Sequence, residues 1–359
     1  MQNTRILSLD ILRGMTVAGM ILVNNVGACG KPFAILRHAS WDGFTPADLV
    51  FPMFLFLMGI STYISQRKFQ FDRQKSWKKI LKRSVSLIVI GVVMEYIVQS
   101  LQQGSCIEWE YLRLMGVMQR LGLCYGIVAL LSTIIPHRKF LGCSMLMLGV
   151  YLILQWTGDG FDKTAENVIG RVDRLILGAN HIYLQGHQFV DPEGILSSLP
   201  AVAQTMLGFE CGRLLFQEPD HKERIRKLLI VGSVLLIGGY LLSYGCPVNK
   251  RLWSPSFVCI TSGISMILLS LLMNVVEHKE PHVGFRPFVV LGVNPLAIYL
   301  FSYVTGDLFR IWRIPQFVYQ YISPFMGDYA VSLTYGVLFL LFNAALGYYL
   351  YKKHIYIKL

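Results

Sequence analysis

Runs of residues without a single charged side chain recur along this chain, at 228–249, 252–276, 287–306 and 329–351. Each is long enough to cross roughly 30 Å of hydrocarbon as a helix, which takes about 20 apolar residues. One such run could be a buried core helix; four could not. The composition agrees, with 54% hydrophobic and 15% charged residues against the roughly 25% charge of soluble domains. A water-soluble chain of 359 residues needs far more ionised side chains to cover its surface. The first apolar segment, 14–30, follows Arg5 and Arg13 in the manner of a signal peptide. No small-residue cleavage signal follows it, so it reads as the first span.

The fold expected is therefore an all-α, polytopic transmembrane helical bundle. About ten spans are predicted, at 9–29, 45–65, 84–103, 113–135, 140–157, 196–217, 228–246, 254–274, 288–305 and 329–351. The formal charge of +12 raises nucleic acid as a partner, but the position of the charge argues otherwise. Of 33 Lys and Arg, eight lie in the single stretch 67–83. With the amino terminus inside, cytoplasmic segments hold 20 basic residues and external ones 9. That is the positive-inside pattern, and it places both termini in the cytoplasm. The whole chain, 1–359, reads as one transmembrane domain with long external connections at 30–44, 158–195 and 306–328. The last holds aromatic residues interleaved with Arg310 and Arg313 and is expected to lie at the membrane interface rather than form an eleventh span.

No internal repeat is evident, and no inverted pair of broken spans announces a transporter. A Walker spacing and a Rossmann fingerprint are both absent. The seven Cys have neither CxxC nor paired Cys/His spacing and read as small core residues, so no metal site is expected.

Polar groups in or against the spans carry the information, because each must be paired, hydrated or used. Asp10 and Arg13, at i,i+3, suit an ion pair. Asn24 and Asn25 are adjacent and point to different helix faces, so one of them is free to line a cavity. His38 is the sole histidine in the first 130 residues. An imidazole accepts and returns a proton near neutral pH; an interfacial histidine is the plain alternative. Thr45-Pro46-Ala47-Asp48 is patterned as a helix start with an acidic capping box. Capping by itself accounts for Asp48, and so does orienting His38. Gln119 and Arg120 lie inside an apolar span, where Arg120 suits either an anionic ligand or an ion pair with Glu95. Glu193 precedes a helix start, Asn249, Lys250, Arg251 and Trp253 crowd a short external turn, and Asn294 sits within an uncharged span.

Several longer strings carry a resemblance. They are SLDILRG at 8–14, MILVN at 20–24, HASWDGFTPADLVFP at 38–52 and FLFLMG at 54–59, followed in order by GVMQRLG at 116–122, DPEGIL at 191–196, VNKRLWS at 248–254 and LGVN at 291–294. In these the chain resembles the heparan-alpha-glucosaminide N-acetyltransferase family. The resemblance implies acetyl-coenzyme A as donor and the amine of a glucosamine-type sugar as acceptor, on the external side of the membrane. It implies His38 as the active-site histidine and Asn24 as an active-region amide, with Asp48 supporting the imidazole. Arg120, with Gln119, Asn249, Lys250, Trp253 and Asn294 in the matched strings, is expected to face the donor. The large luminal domain of the lysosomal enzyme is not found, which suggests a bacterial member in the cytoplasmic membrane. An O-acyltransferase of an envelope glycan and a sugar carrier without chemistry stay open, as does direct transfer against an acetyl-histidine intermediate. Expected partners are the sugar or glycan acceptor and membrane lipid, with a homodimer open and no nucleic acid.

Overall fold

A computed structural model describes residues 6–183, 190–276 and 283–357. Arg5, Lys358 and part of the expected 158–195 connection lie outside the described residues. These form thirteen α-helices: α1 (Leu7–Val26), α2 (Val50–Lys68), α3 (Arg73–Gln103), α4 (Val117–Leu131), α5 (Phe140–Thr157), α6 (Val168–Leu177), α7 (Ser198–Gln217), α8 (His221–Leu242), α9 (Pro255–Val276), α10 (Arg286–Val293), α11 (Pro295–Ile311), α12 (Ile314–Ile322) and α13 (Asp328–Lys352). Local chemistry sets many of their ends. Asp72 Oδ1 accepts from Gln74 N at 2.8 Å to start α3, and Gly104 at φ +74° ends it, a left-handed position that suits glycine.

The helices form an all-α membrane bundle. Seven are long and apolar enough to cross a bilayer, and eight if the bent α10–α11 pair makes one crossing. Ten were expected. Of the remainder, α4 has only 15 residues, beginning after Gly116 rather than at Arg113, and α7 is long enough but carries Gln204, Glu210 and Arg213. Burial explains α7: it packs against α2, α4, α5 and α9, and a helix surrounded by protein needs no lipid-facing apolar surface. The peripheral α3 and α8 have the opposite character, with Leu81, Val89, Val234 and Ile237 exposed where hydrocarbon covers them.

The expected span 288–305 is not one helix. It bends by 86° between α10 and α11, at Asn294 (φ −124°, ψ 52°). Pro295 causes the break, because a proline removes a backbone donor and drives the residue before it out of the α region. Asn294 was expected to face the donor; instead its amide holds the carboxyl-terminal tail, donating to Ile355 O at 2.8 Å and accepting from Ile357 N at 2.9 Å. The short α10 lies tightly on α1. A Cβ on Gly14 would fall 1.8 Å from Phe288 O, and one on Gly292 would fall 1.9 Å from Asp10 O, so only glycine permits this approach. In the region 306–328, α11 continues to Ile311 and the nine-residue α12 follows. At 1.5 Å per residue, α12 is too short to cross a bilayer.

Candidate active site

Four connections meet at one end of the bundle: α1 to α2, α3 to α4, α6 to α7, and α8 to α9. The first carries His38 and is fastened on both sides. Thr45 Oγ1 donates to Arg37 O at 2.8 Å, Gly43 N to Val248 O at 2.8 Å, and Asn249 Nδ2 to Asp42 Oδ1 at 3.1 Å. Trp41 Nε1 donates to Phe161 O at 3.0 Å.

Asp48 is fully buried and divides its two oxygens between two tasks. Oδ2 accepts from the backbone N–H of Thr45 at 3.1 Å and of Ala39 at 3.1 Å, capping the turn that opens α2. Oδ1 lies 2.8 Å from His38 Nδ1. The capping and orienting readings of Asp48 therefore coexist in one carboxylate. Its charge favours the tautomer with the proton on Nδ1, which leaves the Nε2 lone pair as the acceptor.

Lys250 Nζ completes the cluster, 3.5 Å from Asp48 Oδ1 and 3.0 and 3.4 Å from Nδ1 and Nε2 of His38. An ammonium only donates, so with the Nδ1 proton directed to Asp48 its useful partners are Oδ1 and Nε2. Burial pushes the Lys250 ammonium below its ordinary range, while Asp48 and Glu193 pull it back up.

His38, Lys250 and Asn24 line a cavity of about 270 Å³. A second cavity of about 600 Å³ adjoins it and shares Asn24, Val117, Tyr183, Glu193 and Tyr299 with it. Asn24 is exposed into this space, and among the described residues its side-chain amide has no protein partner. Asn25 is buried and donates to Ile21 O at 2.8 Å. Gln119 lines the larger cavity.

Arg120, Asn249, Trp253 and Asn294 line neither cavity. Arg120 is fully buried and donates to Gly194 O at 3.0 Å and to Ser197 Oγ, with its guanidinium 5.0 Å from the Trp253 ring centroid. It does not reach Glu95, which accepts from Gln99 Nε2 at 3.0 Å and Tyr303 OH at 3.0 Å. Trp253 donates to Gln204 Oε1 at 2.9 Å. Asn249 Oδ1 accepts from Leu252 N at 3.1 Å, shaping the turn that presents Lys250.

Three side chains hold the segment 191–197 against the cavities. Besides Arg120, Arg113 bonds Asp191 and Glu193, each at 2.7 Å, and Asp173 Oδ1 accepts from Ile195 N at 2.9 Å and Leu196 N at 3.1 Å. Burial raises the Glu193 carboxyl, but Arg113, Arg120 and Lys250 together outweigh it and hold the group below its ordinary range. Burial pushes Asp173 up to about 6. Arg113 and the larger cavity's Glu95, Tyr303 and Asp307 were missed as site residues. The signal for the first was an arginine beside a helix start together with the acidic pair in DPEGIL.

A family model described as the catalytic region of heparan-alpha-glucosaminide N-acetyltransferase matches residues 5–244. The human (Homo sapiens) heparan-alpha-glucosaminide N-acetyltransferase is 28% identical over 419 aligned positions, covering 99% of this chain and 60% of its own length. The mouse (Mus musculus) protein is 28% identical over 371 positions, covering 86% of this chain and 55% of its own length. The chain thus spans somewhat more than half the length of these curated relatives. By sequence, the chain belongs to the heparan-alpha-glucosaminide N-acetyltransferase family.

Proposed function

We propose that this chain is a membrane N-acetyltransferase that moves acetyl from acetyl-coenzyme A to the amine of a glucosamine-type sugar. The observation that carries the reading is the His38–Asp48 pair, 2.8 Å apart, opening onto paired cavities of about 270 and 600 Å³. The larger lies within the roughly 300–1,000 Å³ of small-molecule sites, and the smaller extends it to His38. Both partners of the transfer have groups to meet there. The free Asn24 amide suits the oxygen of the donor's thioester carbonyl, with Lys250 beside it, and Nε2 of His38 suits the acceptor amine.

In the proposed reaction Nε2 of His38 removes a proton as the acceptor nitrogen attacks the carbonyl carbon. Lys250 moves off Nε2 toward Asp48 to admit the amine. The Asn24 Nδ2–H donates to the developing oxyanion, and the buried Asp48 carboxylate stabilises the imidazolium. The C–S bond then breaks, the proton on Nε2 passes to the departing thiolate, and an N-acetyl sugar and free coenzyme A leave. Arg120, Asn249 and Trp253 support this geometry from behind, holding the segments that bear Glu193 and Lys250.

The reading includes ten crossings, both termini in the cytoplasm of a bacterial cell, and external connections at 30–44, 158–195 and 306–328. Cysteines placed singly in a Cys-free background at Gln70 and Lys163 test the sidedness. An impermeant thiol reagent applied to intact cells should label only the second. Purified protein given labelled acetyl-coenzyme A and a panel of amino and neutral sugars tests the chemistry. Acetyl should appear on the amine with one free thiol released per transfer. Flux of sugar without thiol release would make the chain a carrier, and label on a hydroxyl would make it an O-acyltransferase.

A further inference from the structure

At the end of the bundle opposite His38, α3 and α4 part to leave a groove of about 570 Å³. The helices touch where Ser84 Oγ donates to Gly122 O at 2.8 Å and Arg83 lies 4.4 Å from the centre of the Tyr125 ring. From there they diverge. Arg73 and Gln74 stand at the mouth, Trp77 follows, and Ile80, Leu81 and Leu130 line the deeper part. The lining residues of α3 recur every three or four positions, so they form one stripe along the helix. From Arg73 to Ser84 the stripe runs about 16 Å at 1.5 Å per residue, from the polybasic rim to the point where the expected span 84–103 begins.

Charge, aromatic and aliphatic groups thus follow one another along the groove in the order of a phospholipid's headgroup, interface and upper acyl chain. The surroundings add a sign. Eight Lys and Arg against the single acid Asp72 occupy residues 67–83, and Arg73, Lys75, Lys78, Lys79 and Lys82 are exposed. Lys75 is paired with Asp72 at 3.4 Å; Arg73 has no side-chain partner among the described residues. Trp77 is exposed and stands where tryptophan anchors helices at a membrane interface.

We infer that the α3–α4 groove is a binding site for an anionic phospholipid, its phosphate at Arg73 and one acyl chain laid over Trp77, Ile80 and Leu81. A polybasic segment beside a membrane attracts anionic headgroups; the groove converts that attraction into a defined seat. Because α3 also lines the larger cavity with Glu95 at its other end, the bound lipid supports the wall of the candidate active site. The inference rests on the membrane fold and stands apart from the transfer chemistry.

The test uses full-length protein in phosphatidylcholine vesicles containing brominated phosphatidylglycerol or, at the same mole fraction, brominated phosphatidylcholine. Trp77 is one of six Trp, so its signal is taken as the difference between wild type and Trp77→Phe. Brominated phosphatidylglycerol should quench that signal at least about threefold more efficiently. Arg73→Gln should bring the preference close to one, and Lys75→Gln, outside the groove, should leave it intact. Equal quenching by the two lipids in the wild type overturns the site. Equal loss in Lys75→Gln and Arg73→Gln does so as well, because the attraction would then be diffuse.

Discussion

Nδ1 of His38 lies 2.8 Å from Oδ1 of Asp48, while Oδ2 of the same carboxylate holds the backbone of Ala39 and Thr45. One buried side chain therefore orients the ring and anchors the loop that carries it. Its two functions are separable by substitution.

His38→Ala should lower acetyl transfer by roughly 10² to 10⁴, the range for loss of a general base, with donor binding retained. Asp48→Asn keeps an oxygen for the Ala39 and Thr45 amides, and Asn also caps helices, so the melting temperature should stay near wild type. Its amide NH₂, however, would face Nδ1 and shift the ring proton to Nε2. Turnover should fall by roughly 10². Normal turnover in both variants across pH 5 to 9 would remove His38 from the chemistry.

Lys250 places an ammonium 3.0 to 3.4 Å from the ring nitrogens of His38. Lys250→Met keeps the length of the side chain and removes the ammonium that faces the cavity. KM for the donor should rise about tenfold, the equivalent of roughly 1.4 kcal/mol, with kcat changed less. An unmoved KM would take Lys250 out of donor binding.

Asp173 is buried and raised to about 6 from its ordinary 3.8. In this window the folded chain keeps the proton while the unfolded chain loses it, so stability falls as pH rises from about 4 to about 6 and is level beyond. The span corresponds to about 3 kcal/mol. Asp173→Asn retains an acceptor for Ile195 and Leu196 and lacks the ionisation. Its melting temperature relative to wild type should therefore climb between pH 4 and 6 and then hold constant. A difference independent of pH would contradict the assignment.

At the α1–α10 contact, Gly14→Ala and Gly292→Ala each set a methyl within 2 Å of a carbonyl oxygen of the other helix. Backbone cannot step aside as a side chain does, so a loss of about 1–3 kcal/mol or more is expected. Thermal denaturation in detergent measures it. Gly27→Ala, where nothing lies within 4 Å, serves as the control.

Much of this protein is written in short stretches of its sequence. Apolar length specified the membrane and placed α1, α5, α9 and α13 within a few residues, and Thr45 to Asp48 announced the start of α2 with His38 ten residues before its carboxylate. These features obey rules that act within one or two turns of chain: hydrophobic transfer, capping and helix propensity. The Asn294-Pro295 pair also contained the break between α10 and α11, although an uncharged run concealed it.

Tertiary packing decided the rest. Arg120 looked like a ligand group because an arginine in an apolar helix demands a partner, but that partner is the carbonyl of Gly194, supplied by a segment more than 70 positions away. Arg113 meets Asp191 and Glu193 across a similar separation, and Lys250 reaches His38 across 212 positions. The cavities at their junction belong to no single segment. They arise where α1, α3, α4 and α11 fail to close on one another, and whether helices close depends on the shapes of side chains brought together only by the completed fold.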